Sequence, residues 1–148
     1  MKSLSLFCLL LVTTLRAADP APALKTDKFR LGDWEDDIGY RQAVRVGNTL
    51  YVSGTAGAGA MPDAIRGVYG ELQKTLAHFG LTFAHVVKEN AYTTDLDALK
   101  AHLEVRRAYY GRDFPAATWV QVSRLFSPED LLEVELVAVL PEPVVITK

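Results

Sequence analysis

Phe114-Pro115-Ala116-Ala117-Thr118-Trp119-Val120-Gln121-Val122 and, one turn later, Leu132-Glu133-Val134-Glu135-Leu136-Val137-Ala138 decide how this chain is read. Thr118 to Val122 and Leu131 to Leu140 carry the β-branched and alternating residues of two strands, joined through the turn-forming Ser127-Pro128-Glu129-Asp130. In the second strand Leu132, Val134, Leu136 and Ala138 share one side, and Leu131, Glu133, Glu135, Val137 and Val139 share the other. Apolar groups stand on both sides. A sheet built this way needs helices over one face and a second cover, such as another subunit, over the other.

Upstream, Arg41 to Ser53 alternates around Gly47-Asn48, which predicts a β-hairpin. Gly54 to Ala60 reads as a small-residue loop, either a place where backbone approaches a ligand or a mobile connector. Pro62 suits a helix start, and Ile65, Val68, Tyr69, Leu72, Leu76 and Phe79 recur at helical spacing before Gly80. Val86 to Thr93 predicts a strand; Asp95 or Asp97 can cap a second helix with Leu96, Leu99, Leu103 and Tyr110 on its apolar stripe, ended by Gly111. The order is ββαβαββ. Each helix has a single stripe to hide, so both lie on one face of a mixed sheet in an α+β fold.

The chain of 148 residues, 49% hydrophobic and 23% charged, is sized for one domain. Residues 1–18 have a signal-peptide layout: Lys2, the apolar run Leu4 to Leu15, then Arg16-Ala17-Ala18. The run is short for a membrane span, which takes about 20 residues, so a periplasmic or secreted location is expected, an uncleaved anchor being the alternative. Residues 19–32, with Pro20 and Pro22, read as an extended tether, residues 33–142 as the domain and 143–148 as a tail. The one cysteine, Cys8, falls inside the leader, which leaves a mature chain without disulfides or a thiolate nucleophile. Losing Lys2 and Arg16 makes the formal charge of −2 two units more negative. Such a surface offers nothing to nucleic acid. His78, His85 and His102 are isolated, so no metal site is expected, and no phosphate-binding glycine motif opens a helix.

The closing segments resemble the RidA family, the YjgF-type reactive-intermediate deaminases, and so does Ile38-Gly39-Tyr40-Arg41-Gln42-Ala43-Val44, beside the family's Gly-Pro-Tyr-Ser-Gln-Ala-Val. The resemblance covers about residues 38 to 140. It implies a chorismate-mutase-like fold, a homotrimeric barrel of sheets, ligand clefts between subunits and no cofactor. Tyr40 then lines the cleft, or else packs as a half-buried strand residue. Glu133 takes the place of the glutamate that positions or activates water against an imine carbon, with Glu135 the competing reading. Attack on C=N needs such a group, first as base for water and then as proton source for nitrogen.

One residue departs from the pattern. Where the family usually runs Phe-Pro-Ala-Arg-Ser and its arginine grips a carboxylate, this chain has Ala117 before Thr118. A methyl group cannot make that bidentate pair, and losing one costs about 2 to 5 kcal/mol. Trp119 replaces a small residue or cysteine, Leu103 an asparagine and Thr55 a glutamine, which together imply a less polar pocket, although Trp119 could equally pack between subunits. Arg41, Arg112 and Arg124 are the candidate replacements for the missing cation. Some relatives carry an endoribonuclease label, but no basic, aromatic-studded strip for RNA is present here. The expectation is an exported trimer binding a small metabolite, with the usual 2-imino acid deamination lost or redirected. The alternatives are an active imine or enamine deaminase using Glu133 and water, and a structural or chaperone-like trimer.

Overall fold

The computed structural model describes residues 23–141. The expected signal peptide, residues 1–18, and the tail, residues 143–148, lie outside the described residues. Six strands form one sheet: β1 (Thr26–Phe29), β2 (Ala43–Val46), β3 (Thr49–Ala58), β4 (Val86–Thr93), β5 (Ala116–Gln121) and β6 (Asp130–Val139). Their spatial order is β1-β2-β3-β6-β4-β5. All neighbours are antiparallel except β4 and β5, which run parallel, as the crossover between them requires. The architecture is the expected α+β fold with a mixed sheet, and β6 occupies its middle.

The alternation read in the last strand holds residue by residue. Leu132, Val134, Leu136 and Ala138 are buried beneath helix α2 (Met61–His78), while Leu131, Glu133, Glu135, Val137 and Val139 are only partly covered on the other face. Helix α2 contributes Ile65, Val68, Tyr69, Leu72 and Leu76, all essentially inaccessible, and each fully buried aliphatic side chain is worth about 1.5 to 3 kcal/mol. The helix closes where Gly80 takes φ +70°, which lets Leu81 N donate back to Leu76 O at 2.9 Å. The opposite face presents exposed Tyr51 and Val120.

Three expectations are corrected. The stretch read as a tether contains β1, which pairs with β2 from Thr26↔Val46 to Phe29↔Ala43, because a hairpin edge still has unpaired backbone groups to offer. A short helix α1 (Trp34–Ile38) follows it, fixed by buried Glu35, whose carboxylate accepts from Leu31 N at 2.8 Å and Gln42 N at 2.9 Å. Residues 54–58 are not a loop: β3 continues through them, since small residues fit beneath α2, where a Cβ on Gly57 would lie 3.0 Å from Ala64 O. The second helix is two, α3 (Leu96–Ala101) and α4 (Leu103–Tyr110), broken at His102, with Asp95 as the cap that accepts from Ala98 N.

Candidate functional site

Strand β3 carries a bulge beside the middle of the sheet. Its register against β6 jumps from Val52↔Leu136 to Thr55↔Val134, so Ser53 and Gly54 together face a single position of the partner. Glu133, two strand positions from that point, lays its carboxylate over the bulge. A Cβ on Gly54 would fall 1.9 Å from Glu133 Oε1 and 2.8 Å from Cδ, so only glycine leaves room for the carboxylate there. Tyr40 closes the other side: its hydroxyl, 2.9 Å from both Gly54 O and Gln42 Oε1, has one proton to share between them. Gln42 is buried and donates to Thr55 Oγ1 at 3.0 Å.

These groups line a cleft of about 570 Å³ that also contains Asp130 and Glu71. Its rim is apolar: Leu31, Trp34, Ile38 and Phe126 all line it and all stand exposed, Phe126 at 82%. Burial, together with neighbouring Asp130 and Glu135, raises the pKa of Glu133 above the ordinary carboxylate value. Burial pushes the Tyr40 phenol up to about 12, with Glu35 and Glu133 adding to the shift, so the phenol stays protonated. No described side chain donates a hydrogen bond to Glu133. A half-buried carboxylate without a donor among the described residues, its pKa raised by burial and by neighbouring carboxylates, can both accept and return a proton. Glu135 is differently placed, since Asn90 Nδ2 and Tyr92 OH both bond its Oε1 at 2.7 and 3.1 Å. Between the two candidate carboxylates, the free one is Glu133.

The sequence-derived site residues separate into two groups. Tyr40, Thr55 and Glu133 surround the cleft, whereas Ala117, Thr118 and Trp119 sit on β5, the edge strand, with β4 between them and Glu133. Thr118 points to the open face, where its hydroxyl accepts from Lys88 Nζ at 2.7 Å. Ala117 and Trp119 point to the helix side. Arg41 does not replace the missing cation, because it is paired with Asp36 and donates to Tyr40 O.

Sequence reading missed a third cluster beneath β5. Glu89 on β4, wholly buried, accepts from Tyr69 OH at 2.8 Å and Tyr110 OH at 2.7 Å on Oε2, and from Arg106 Nε at 2.8 Å and Trp119 Nε1 at 3.0 Å on Oε1. Arg106 is 5% exposed. Burial works against its charge, but Glu89 outweighs burial and holds its pKa above the ordinary value. The same carboxylate, after burial itself, drives the Tyr69 and Tyr110 phenols upward. At helical spacing position 106 falls on the stripe of Leu99, Leu103 and Tyr110, so the clue in the sequence was a charged residue on an apolar stripe, matched by Glu89 on the side of β4 that also carries Ala91 and Thr93.

Gly54→Ala is a clean probe of the cleft, because Gly54 does not use a positive φ and an alanine there is not strained by backbone. The added methyl should expel the Glu133 carboxylate into solvent and return its pKa, followed by NMR titration of the side chain, to the ordinary range. An unaltered titration in the folded variant would contradict the close approach described.

A family model described as Endoribonuclease L-PSP matches residues 35–140. Among curated proteins, a RutC family protein of Pyrococcus horikoshii is 31% identical over 109 residues, 67% of this chain and 85% of that protein. The human 2-iminobutanoate/2-iminopropanoate deaminase is 28% identical over 109 residues, 68% of this chain and 79% of its own. A crystal structure of a YjgF/YER057c/UK114 family member from Mycobacterium tuberculosis has a TM-score of 0.73 at 30% identity, over 78% of this chain and 100% of the other. With a fold shared with that structure and a family model that spans almost all of the described domain, this chain belongs to the RidA family of Endoribonuclease L-PSP proteins.

Proposed function

We propose that this protein hydrolyses the C=N bond of small imines or enamines in clefts completed between copies of a homotrimer, with Glu133 as the acid–base group and the carboxylate grip at position 117 lost. The observation that carries the reading is the Glu133 carboxylate, without a hydrogen-bond donor among the described residues and raised in pKa, on the floor of a cleft of about 570 Å³. Family membership and the deaminase names of several relatives support it. Glu133 takes a proton from water as the water oxygen bonds to the imine carbon, and the C=N electron pair moves to nitrogen. Protonated Glu133 then returns its proton to that nitrogen. Collapse of the carbinolamine forms the carbonyl and releases ammonia, which balances the addition of one water. Tyr40, locked protonated between Gly54 and Gln42, holds the wall and the bulge in place.

The trimer is supported by two features. The open sheet face carries exposed Tyr51 and Val120, and the cleft rim exposes four large apolar side chains. Because β4 separates β5 from Glu133 within one copy, we take the second copy seated there to be the one whose β5 approaches Glu133. Export, which we also propose, rests on the leader-like run of residues 1–18; the intact mass of protein recovered from its host should correspond to a start after Ala18, and retention of those residues would refute it. A second reading, a binding protein without catalysis, is favoured by Ala117 together with the apolar rim.

Freshly generated 2-iminobutanoate separates the two. Under the hydrolytic reading the mature protein accelerates ammonia release, and Glu133→Gln reduces the rate by about 10²- to 10⁴-fold with the fold intact. Because the ionised carboxylate starts the reaction and its pKa is raised by burial, Asp130 and Glu135, the rate should fall as pH drops through a value above the usual carboxylate range. Catalysis unchanged in Glu133→Gln, or none in the native protein with either 2-iminobutanoate or an imine that lacks a carboxylate, would reject the hydrolytic reading.

A further inference from the structure

We propose that Arg106, delivered from helix α4 rather than from strand β5, is the anion-recognising residue of this protein and that its free guanidinium edge binds a substrate carboxylate beside Ala117. The inference deepens the hydrolytic reading by naming which end of the substrate is gripped, and it can stand without that reading. Glu89 holds Arg106 from behind through Nε alone, at 2.8 Å. Nη1 and Nη2 have no hydrogen-bond partner among the described residues, and no described side-chain nitrogen is both sealed from solvent and unpartnered. The small exposure left to this 95% buried residue therefore includes those two nitrogens. They form the planar fork that a carboxylate accepts in bidentate fashion.

The position of that fork follows from the rings around it. The guanidinium carbon lies 4.6 Å from the Tyr110 ring centre, 5.0 Å from that of Trp119 and 5.6 Å from that of Phe114. Phe114 and Trp119 flank position 117 along the chain, and Ala117 is the in-register partner of Glu89, on the same face of the sheet. An arginine at 117 would thus compete with Arg106 for Glu89 and bring two cations together. The alanine and the buried arginine belong to one arrangement, in which Ala117 adds no second cation to Glu89 and the helix supplies the one that is there. Four donors on Glu89 absorb its charge, so the outward edge of Arg106 remains available to a second anion. Aromatic stacking keeps the edge oriented at little cost in side-chain entropy.

Binding without turnover provides the test, by calorimetry with 2-oxobutanoate and with its uncharged amide. The native protein should bind the carboxylate at least tenfold more tightly than the amide. Arg106→Gln should abolish that preference, and Arg106→Lys, with a point charge in place of a fork, should keep only part of it. Should Arg106→Gln fail to fold, the paired change Glu89→Gln with Arg106→Met removes both buried charges at once and should show the same loss. The inference is overturned if either folded variant retains the native preference, or if the native protein has none. Repeating the titration in Glu133→Gln separates the two ideas: an Arg106-dependent preference there upholds this inference even where hydrolysis fails.

Discussion

Strand β6 is the constraint from which the rest follows. It pairs with β3 on one side and β4 on the other, and its strict alternation commits Leu132, Val134, Leu136 and Ala138 to the helices. A shift of one residue would put Glu133 and Glu135 into the core and expose four aliphatic side chains, so the register has no close competitor. The same alternation therefore places Glu133 on the open face. Core and site are the two sides of one strand.

Local irregularities then turn a regular sheet into a cleft. The bulge at Ser53 and Gly54 gives Tyr40 a carbonyl to bond and gives the Glu133 carboxylate a floor without a Cβ. Glu35 ties the segment before β2 to the sheet, and with it come Trp34 and Ile38 on the rim. On the far side of β4 a second polar centre is organised differently. There a buried carboxylate, bonded by three other donors, and three aromatic rings hold one guanidinium in place. Removing one partner of such a pair costs about 3 to 5 kcal/mol, whereas neutralising both is far milder, so Glu89 and Arg106 are expected to change together or not at all.

Much of the fold was legible because period-2 and helical patterns report which face is buried. The hairpin, both long strands of the second half and α2 all fell where their apolar residues indicated. What pattern could not reveal was edge pairing: β1 has little hydrophobic signature, its four residues being mainly exposed, and it exists because β2 offers unpaired backbone. The break at His102 was equally silent, since the apolar stripe runs through it. For the site, Tyr40 and Glu133 were found through motif resemblance, and the structure adds the glycine that makes room for the carboxylate. Arg106 was not legible as the cation because the arginines beside the recognisable motifs are Arg41, Arg112 and Arg124. The arginine closest to the need was hidden on a helix face assigned to the core.

The account's central claim is that the working site has two halves, Tyr40 and Glu133 from one copy, Arg106 and β5 from another. Co-refolding of two separately impaired proteins, Glu133→Gln and Arg106→Gln, tests it most directly. If the halves meet across subunits, random mixing restores intact pairs at about a quarter of the interfaces, and 2-iminobutanoate hydrolysis should rise above both parents to about that share of the native rate. A mixed oligomer no more active than the average of its parents would contradict the claim.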